Sequence, residues 1–259
     1  MRVIVLGDIV GKPGRDALRE SLKQLREKHE AEFVVANVEN AAAGAGVTRQ
    51  ACQEILDAGV DVMTSGNHVY DKKEGVPYIE KESRLLRPAN YPSEAPGRGM
   101  WLGSTSSGTQ VAVINLQGRV FMPLNDCPFR TADRLVSEIG NRASVIIVDH
   151  HAEATSEKQA MGRYLDGRVA VVVGTHTHVQ TADEQILPGG TAYITDLGMT
   201  GPHGGVIGVQ TDPVLTRFLR GIPARFETAE GDTRISGIVA EVDERTGRAI
   251  SIERLHVRT

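Results

Sequence analysis

Two cysteines in 259 residues, Cys52 and Cys127, with no short spacing between them, exclude a disulfide framework and a zinc knuckle. Both are read as ordinary structural thiols in a reducing compartment. Aromatic residues make up only 4% of the chain, which leaves no evident platform for stacking bases, so weak discrimination between bases is expected. The longest apolar runs, such as Val145 to Val148 and Val169 to Val173, are strand-sized and far short of the roughly 20 residues of a bilayer span. The opening run, Val3 to Leu6, is too short for a secretory signal, so a cytoplasmic location is the expectation. Positive charge is not in excess either. A net charge of −4 removes the broad attraction with which dedicated nucleic-acid binders hold phosphate backbones, so no stable nucleic-acid complex is expected. Phosphate recognition, if present, must be local. The glycines at 7, 11 and 14 fit neither the dinucleotide fingerprint nor the P-loop spacing. They are read as allowing a tight turn around Asp8.

What is present is the composition of a globular protein, 40% hydrophobic and 24% charged. No repeat, low-complexity tract or linker divides residues 1–259, so one domain is expected. Val3 to Leu6, Phe33 to Val38 and Val60 to Met63 read as buried strands. Between them, Leu18, Leu22 and Leu25 recur at helical spacing after Pro13, and Thr48 reads as the N-cap of a helix through Ala51, Ile55 and Leu56 that Gly59 ends. Such units imply right-handed crossovers and a parallel sheet, hence an α/β fold. Leu86 to Gly108, rich in Pro, Gly and Ser, reads as a long irregular connection before the strand Val111 to Leu116. Val145 to Val148 and Val169 to Val173 read as further buried strands. Alternation at Ile238, Ala240 and Val242, a turn over residues 243–247, and Ile250 to Val257 predict antiparallel strands at the end.

The parallel strands end in residues able to bind metal. Asp8 follows the first, Glu39 and Asn40 the second, Asn67 and His68 the third; His150 with His151, and His176 with His178, end later ones. Loops at the carboxyl ends of parallel strands face one crevice, so these groups should converge. Taken singly, each has a plainer reading: Asp8 as a helix cap, Asn67 as a turn residue after Gly66, the His176/His178 pair as surface. Taken together, five of the eight histidines in three post-strand segments point to metal. Adjacent residues on a strand face opposite ways, so spacing does not choose between His150 and His151. His29 and His256 read as solvated surface residues, and His203, in GPHGG, could approach the site from its loop.

The motifs GD at 7–8, GNH at 66–68, a strand-end His and GTHTH at 174–178 resemble those of the calcineurin-like metallophosphoesterases. More narrowly, GDIVGKPGR, VENAAAGAG, SGNHVYDKKE, INLQGR, HAEATSEK, VVGTHTHVQTAD and ITDLGMTGP, in this order, resemble the YmdB group of bacterial phosphodiesterases over nearly the whole chain. The resemblance implies a two-sheet β-sandwich flanked by helices in four layers, with a dinuclear site at the strand ends. One metal would take Asp8, Glu39, Asn40 and His178. The other would take Glu39, Asn67, His151 and His176, with Glu39 as the bridge. Iron is the first expectation and manganese or zinc the alternatives, since imidazole mixed with oxygen donors suits them better than calcium. The wider superfamily carries Asp-x-His at the first motif, whereas this chain has Asp8, Ile9 and Val10. The resemblance gives the missing position to Asn40, a harder, neutral oxygen donor.

The implied activity is hydrolysis of small phosphodiesters, with 2′,3′-cyclic nucleotides as the leading substrate, by a metal-activated hydroxide and with His68 as general acid. Asp149 and Glu153 are candidates to orient the ligands. Two divalent ions set against Asp8, Glu39 and a hydroxide leave about one positive charge by formal counting, which suits a diester monoanion. A phosphomonoesterase, or a regulatory module that senses a nucleotide with little turnover, is the alternative. Homo-oligomerisation is left open.

Overall fold

The computed structural model describes residues 1–259 and alternates strand and helix through most of its length. The first part runs β1 (Arg2–Leu6), β2 (Asp8–Ile9), α1 (Gly11–His29), β3 (Ala31–Asn37), α2 (Arg49–Asp57), β4 (Val62–Thr64) and α3 (Val76–Lys81). The middle runs β5 (Met100–Ser104), β6 (Gln110–Gln117), α4 (Pro128–Ile139), β7 (Val145–His151), α5 (Thr155–Leu165) and β8 (Val171–Thr175). The last part runs β9 (Gln185–Ile186), β10 (Ala192–Ile194), β11 (Met199–Pro202), α6 (Thr211–Arg220), β12 (Thr233–Asp243) and β13 (Arg248–Arg258). Thr48 caps α2 as expected: its hydroxyl accepts the Ala51 N–H at 3.2 Å. The expected irregular connection contains a strand, β5, antiparallel to β6. Its Met100–Ser104 sequence is short and only half-buried, so periodicity does not reveal it. No helix is long and apolar enough to cross a membrane.

The strands form two sheets. The first has the order β2-β11-β12-β1-β3-β4, with β13 also paired to β12; the second has the order β5-β6-β7-β8-β10-β9. β1, β3 and β4 are mutually parallel, as are β6, β7, β8 and β10, whereas β12 and β13 pair antiparallel.

Side-chain alternation turns these sheets into four layers. Along β1, Val3 and Val5 join a core that also contains Val113 of β6 and Ile147 of β7, so this core lies between the sheets. Ile4 and Leu6 face the other way, onto Leu18 and Leu22 of α1 and Ile55 of α2. Ile114 of β6 and Val148 of β7 pack with Leu135 of α4 and Met161 of α5 on the far side of the second sheet. The protein is thus a two-sheet sandwich with helices on both outer faces.

Candidate metal centre

The same alternation decides what the strand ends present. On β7, Val145 and Ile147 face between the sheets, so Asp149 and His151 do too, while Ile146, Val148 and then His150 face the helices. Asn37 of β3, Thr64 of β4 and Thr175 of β8 lie in the inter-sheet phase of their own strands. They surround Asp149: the Asn37 amide donates to it at 3.0 Å, and the Thr64 and Thr175 hydroxyls donate as well. The inter-sheet core therefore changes from apolar to polar at one end.

At that end three imidazoles are oriented by their outer nitrogens. The single hydroxyl proton of Thr175 goes to Asp149 at 2.7 Å, so its oxygen accepts from Nδ1–H of His151 at 2.9 Å. The Ile207 carbonyl can only accept, so Nδ1 of His178 donates to it at 2.8 Å. Nε2 of His176 lies 3.1 Å from the Glu153 carboxylate. Each ring thereby turns its second nitrogen away from that partner, the arrangement that orients imidazoles for metal. These nitrogens are turned inward. His151 Nε2 lies 3.1 Å from His176 Nδ1, 3.1 Å from Asn67 Oδ1 and 3.2 Å from Glu39 Oε1. Ligand atoms of Glu39, His151 and His176 all lie within 4.8 Å of one another. His178 Nε2 faces the Asn40 amide at 2.8 Å. Asp8 Oδ1 and Asn40 Oδ1 are buried without any hydrogen-bond partner, which leaves both oxygens available to a cation.

The electrostatics point the same way. Burial works against a charge on His151, but Glu39 beside it, with Asp8 and Asp149, outweighs burial and lifts its pKa to about 9. Burial would raise Glu39, yet His151 and His68 pull it down to about 2. Asp8 is raised to about 6 by burial. His176 falls to about 3 through burial and repulsion from His151. The cluster thus favours positive charge where the ring nitrogens and carboxylates meet, and cations would supply it. The close group of Glu39, His151 and His176 fits a cation.

Gly66 is required by this packing. A Cβ there would sit 2.1 Å from the His151 ring, so the turn carrying Asn67 can approach the histidine only without a side chain. Gly7 answers a similar need rather than a turn: its Cβ would meet the Gly198 carbonyl oxygen at 1.9 Å.

His68 stands at the rim, partly exposed, with its backbone N–H donating to Glu39 at 3.1 Å. Its Nδ1 is 2.7 Å from the Asp71 carboxylate, three residues on in the same turn, a partner that the DKKE part of the motif contained unread. A cavity of about 490 Å³ opens over His68, Glu39, Asn40, His176 and His178. Phe226 forms part of its wall, so the site is not without an aromatic surface. That ring sits alone in an irregular segment, where no periodicity or motif marks it.

The remaining histidines lie elsewhere. His150 is fully buried on the helix side of β7, and burial with nearby Lys158 holds its pKa down to about 3. Nδ1 of His203 donates to the Gly201 carbonyl at 3.0 Å; the ring stacks edge-on against His256 and does not line the cavity. His256 is exposed, whereas His29 is half-buried, 3.4 Å from Glu253.

A family profile described as YmdB-like protein matches residues 4–255. The chain is 49% identical to the 2′,3′-cyclic-nucleotide 2′-phosphodiesterase of Bacillus subtilis, over 98% of this chain and 96% of that protein. Two crystal structures share the fold. A hypothetical protein from Thermus thermophilus is 40% identical with a TM-score of 0.93, covering 100% of this chain and 99% of its own. A phosphatase from Mycoplasma pneumoniae is 34% identical with a TM-score of 0.94, covering 100% and 93%.

Proposed function

The chain belongs to the YmdB-like family, and we propose that it hydrolyses phosphodiesters, 2′,3′-cyclic nucleotides foremost, with two transition-metal ions. Asp8, Glu39, Asn40 and His178 would hold one ion; Glu39, Asn67, His151 and His176 would hold the other. The observation that carries this reading is the inward-turned His151 Nε2, which has His176 Nδ1, Asn67 Oδ1 and Glu39 Oε1 all within 3.2 Å. Iron is the leading metal and manganese or zinc the alternatives, because the donors mix nitrogen with hard oxygen.

When bound, the cations draw electron density from the phosphoryl oxygens and lower the pKa of a nearby water. The chain does the rest. Glu39, which would be shared by the two ions, accepts the His68 N–H through Oε2, and this ties the turn that carries His68 to that carboxylate. Asp71 accepts Nδ1–H of His68, so a protonated His68 presents Nε2–H to the departing oxygen of the ester. Thr175, Ile207 and Glu153 fix the three ligand tautomers. Only two ligand carboxylates, Asp8 and Glu39, oppose two divalent charges, so the site retains positive charge that attracts an anionic diester.

Purified protein supplied with iron or manganese should contain about two metal ions per chain and turn over 2′,3′-cyclic nucleotides faster than 3′,5′-cyclic ones or monoesters. Faster turnover of monoesters would replace the diesterase by a phosphomonoesterase. A folded protein with metal content near zero would end the dinuclear reading.

A further inference from the structure

The cavity over the proposed metal centre has a mixed lining. Glu39, Asn40, His68, His176 and His178 supply its polar part. Ile207, Val209 and Phe226 add an apolar part to its lining. A phosphodiester group would be met by the polar groups, and Phe226, 42% exposed, offers the cavity an aromatic surface besides.

The apolar part is built, not incidental. Val209 pairs with Thr228 in an isolated antiparallel bridge, the Gln210 N–H donates to the Glu227 carbonyl at 3.0 Å, and the Ala229 N–H donates to the Gly208 carbonyl at 2.8 Å. Phe226 is therefore carried on a segment fastened to the 207–210 loop. That loop in turn accepts the His178 Nδ1–H through the Ile207 carbonyl at 2.8 Å. Ring and metal-facing histidine are thus held by one short connected frame. Arg217 of α6 places its guanidinium over the Phe226 ring, 5.5 Å from the centroid. Of five Phe, five Tyr and one Trp in the chain, this is the one whose ring lines the cavity.

We propose that Phe226 is the base-binding residue of the site: it stacks the heterocyclic base of a nucleoside phosphodiester whose phosphate is met by the polar groups. The proposal rests on the diesterase reading given above and adds to it the residue that receives the base. A ribose links base and phosphate in such a substrate, and Phe226 and the metal-facing groups line one cavity. Stacking on a π-face is tolerant of base identity but grows with ring area, so purine diesters bind better than pyrimidine ones.

The test uses metal-loaded protein with two diesters, 2′,3′-cyclic AMP and a base-free 1-O-methylribose 2,3-cyclic phosphate. Phe226→Ala should lower kcat/KM for the adenosine diester roughly 5- to 150-fold more than for the base-free one, mainly through KM. Phe226→Trp should restore it. Equal losses on both substrates, or none on either, overturn the proposal. A second readout does not depend on turnover. The indole introduced by Phe226→Trp should be quenched by adenosine 3′-monophosphate and not by ribose 5-phosphate, with the wild-type chain, whose only indole is Trp101 on β5, as control. If no diester is hydrolysed, the diesterase reading fails while that quench still upholds the base site; absence of the quench overturns the base site whatever the activity.

Discussion

An imidazole can serve a metal through either nitrogen, and at each of these three histidines an oxygen partner has removed the choice. Thr175, Ile207 and Glu153 occupy one nitrogen apiece. His68 differs because its partner is the solvent-facing Asp71 and its ring stands at the rim, a placement suited to passing a proton rather than holding a cation. The two kinds of residue should therefore fail differently. Glu39→Gln weakens the shared carboxylate, so metal content should fall in elemental analysis of the purified variant. His68→Ala should keep its metal and lose roughly 10²- to 10⁴-fold in turnover. That loss should shrink for a nitrophenyl ester, whose leaving group needs little protonation. Equal losses for good and poor leaving groups would remove His68 from the proton-donor role.

At the scale of elements, the segment after β8 carries the sharpest local cost. His176 and His178 have positive φ, 104° and 65°, where a non-glycine residue costs on the order of 1–3 kcal/mol. The strain is held because carboxylates grip the loop from beneath: Asp8 accepts the His176 N–H at 3.1 Å, and Asp196 accepts the Thr177 N–H at 3.2 Å. Asp196 is itself paired with buried Lys158 of α5 at 2.6 Å. Lys158→Met would leave Asp196 buried and unpaired, a loss of roughly 3–5 kcal/mol. Metal affinity should fall with it, measured by titration against a competing chelator. An unchanged metal affinity despite a lower Tm would separate the pair from the loop.

Elements also differ in how far the sequence makes them legible. Asp8, Glu39, Asn67 and the histidines stand out because apolar strands end abruptly in them, and the parallel sheet order follows from strand and helix periods. The two-sided packing of β7 then separates His151 from His150, which required knowing which face of the strand meets the other sheet. Lys158 and Thr175 escaped because their roles depend on contacts with Asp196 and Asp149, far away in sequence. β5 and Phe226 escaped for a different reason: short or irregular segments carry no period to read.

For the whole molecule, the decisive point is that the proposed donors come from both sheets. Asp8 on β2, Glu39 and Asn40 after β3, and Asn67 after β4 belong to the first sheet; His151 on β7 and His176 and His178 after β8 belong to the second. Between them, the apolar inter-sheet core gives way to the Asp149 network, so packing alone closes that end of the sandwich less firmly than the middle. Cations shared by the two sets of donors would pin the sheets together, and metal binding should then appear as folding stability. At a free metal concentration of about 100 times Kd the gain is about 2.7 kcal/mol. For a chain of this length that corresponds to a rise in Tm of roughly 5–10 °C. Calorimetry of chelated and metal-loaded protein measures it directly, with Glu39→Gln expected to lose most of the increment. Hydrogen exchange should slow at the ends of β3 and β4 and of β7 and β8 together, since both sheets are restrained at once. Metal that binds at full stoichiometry without raising Tm, or that protects the ends of one sheet alone, would show that the centre does not join the two.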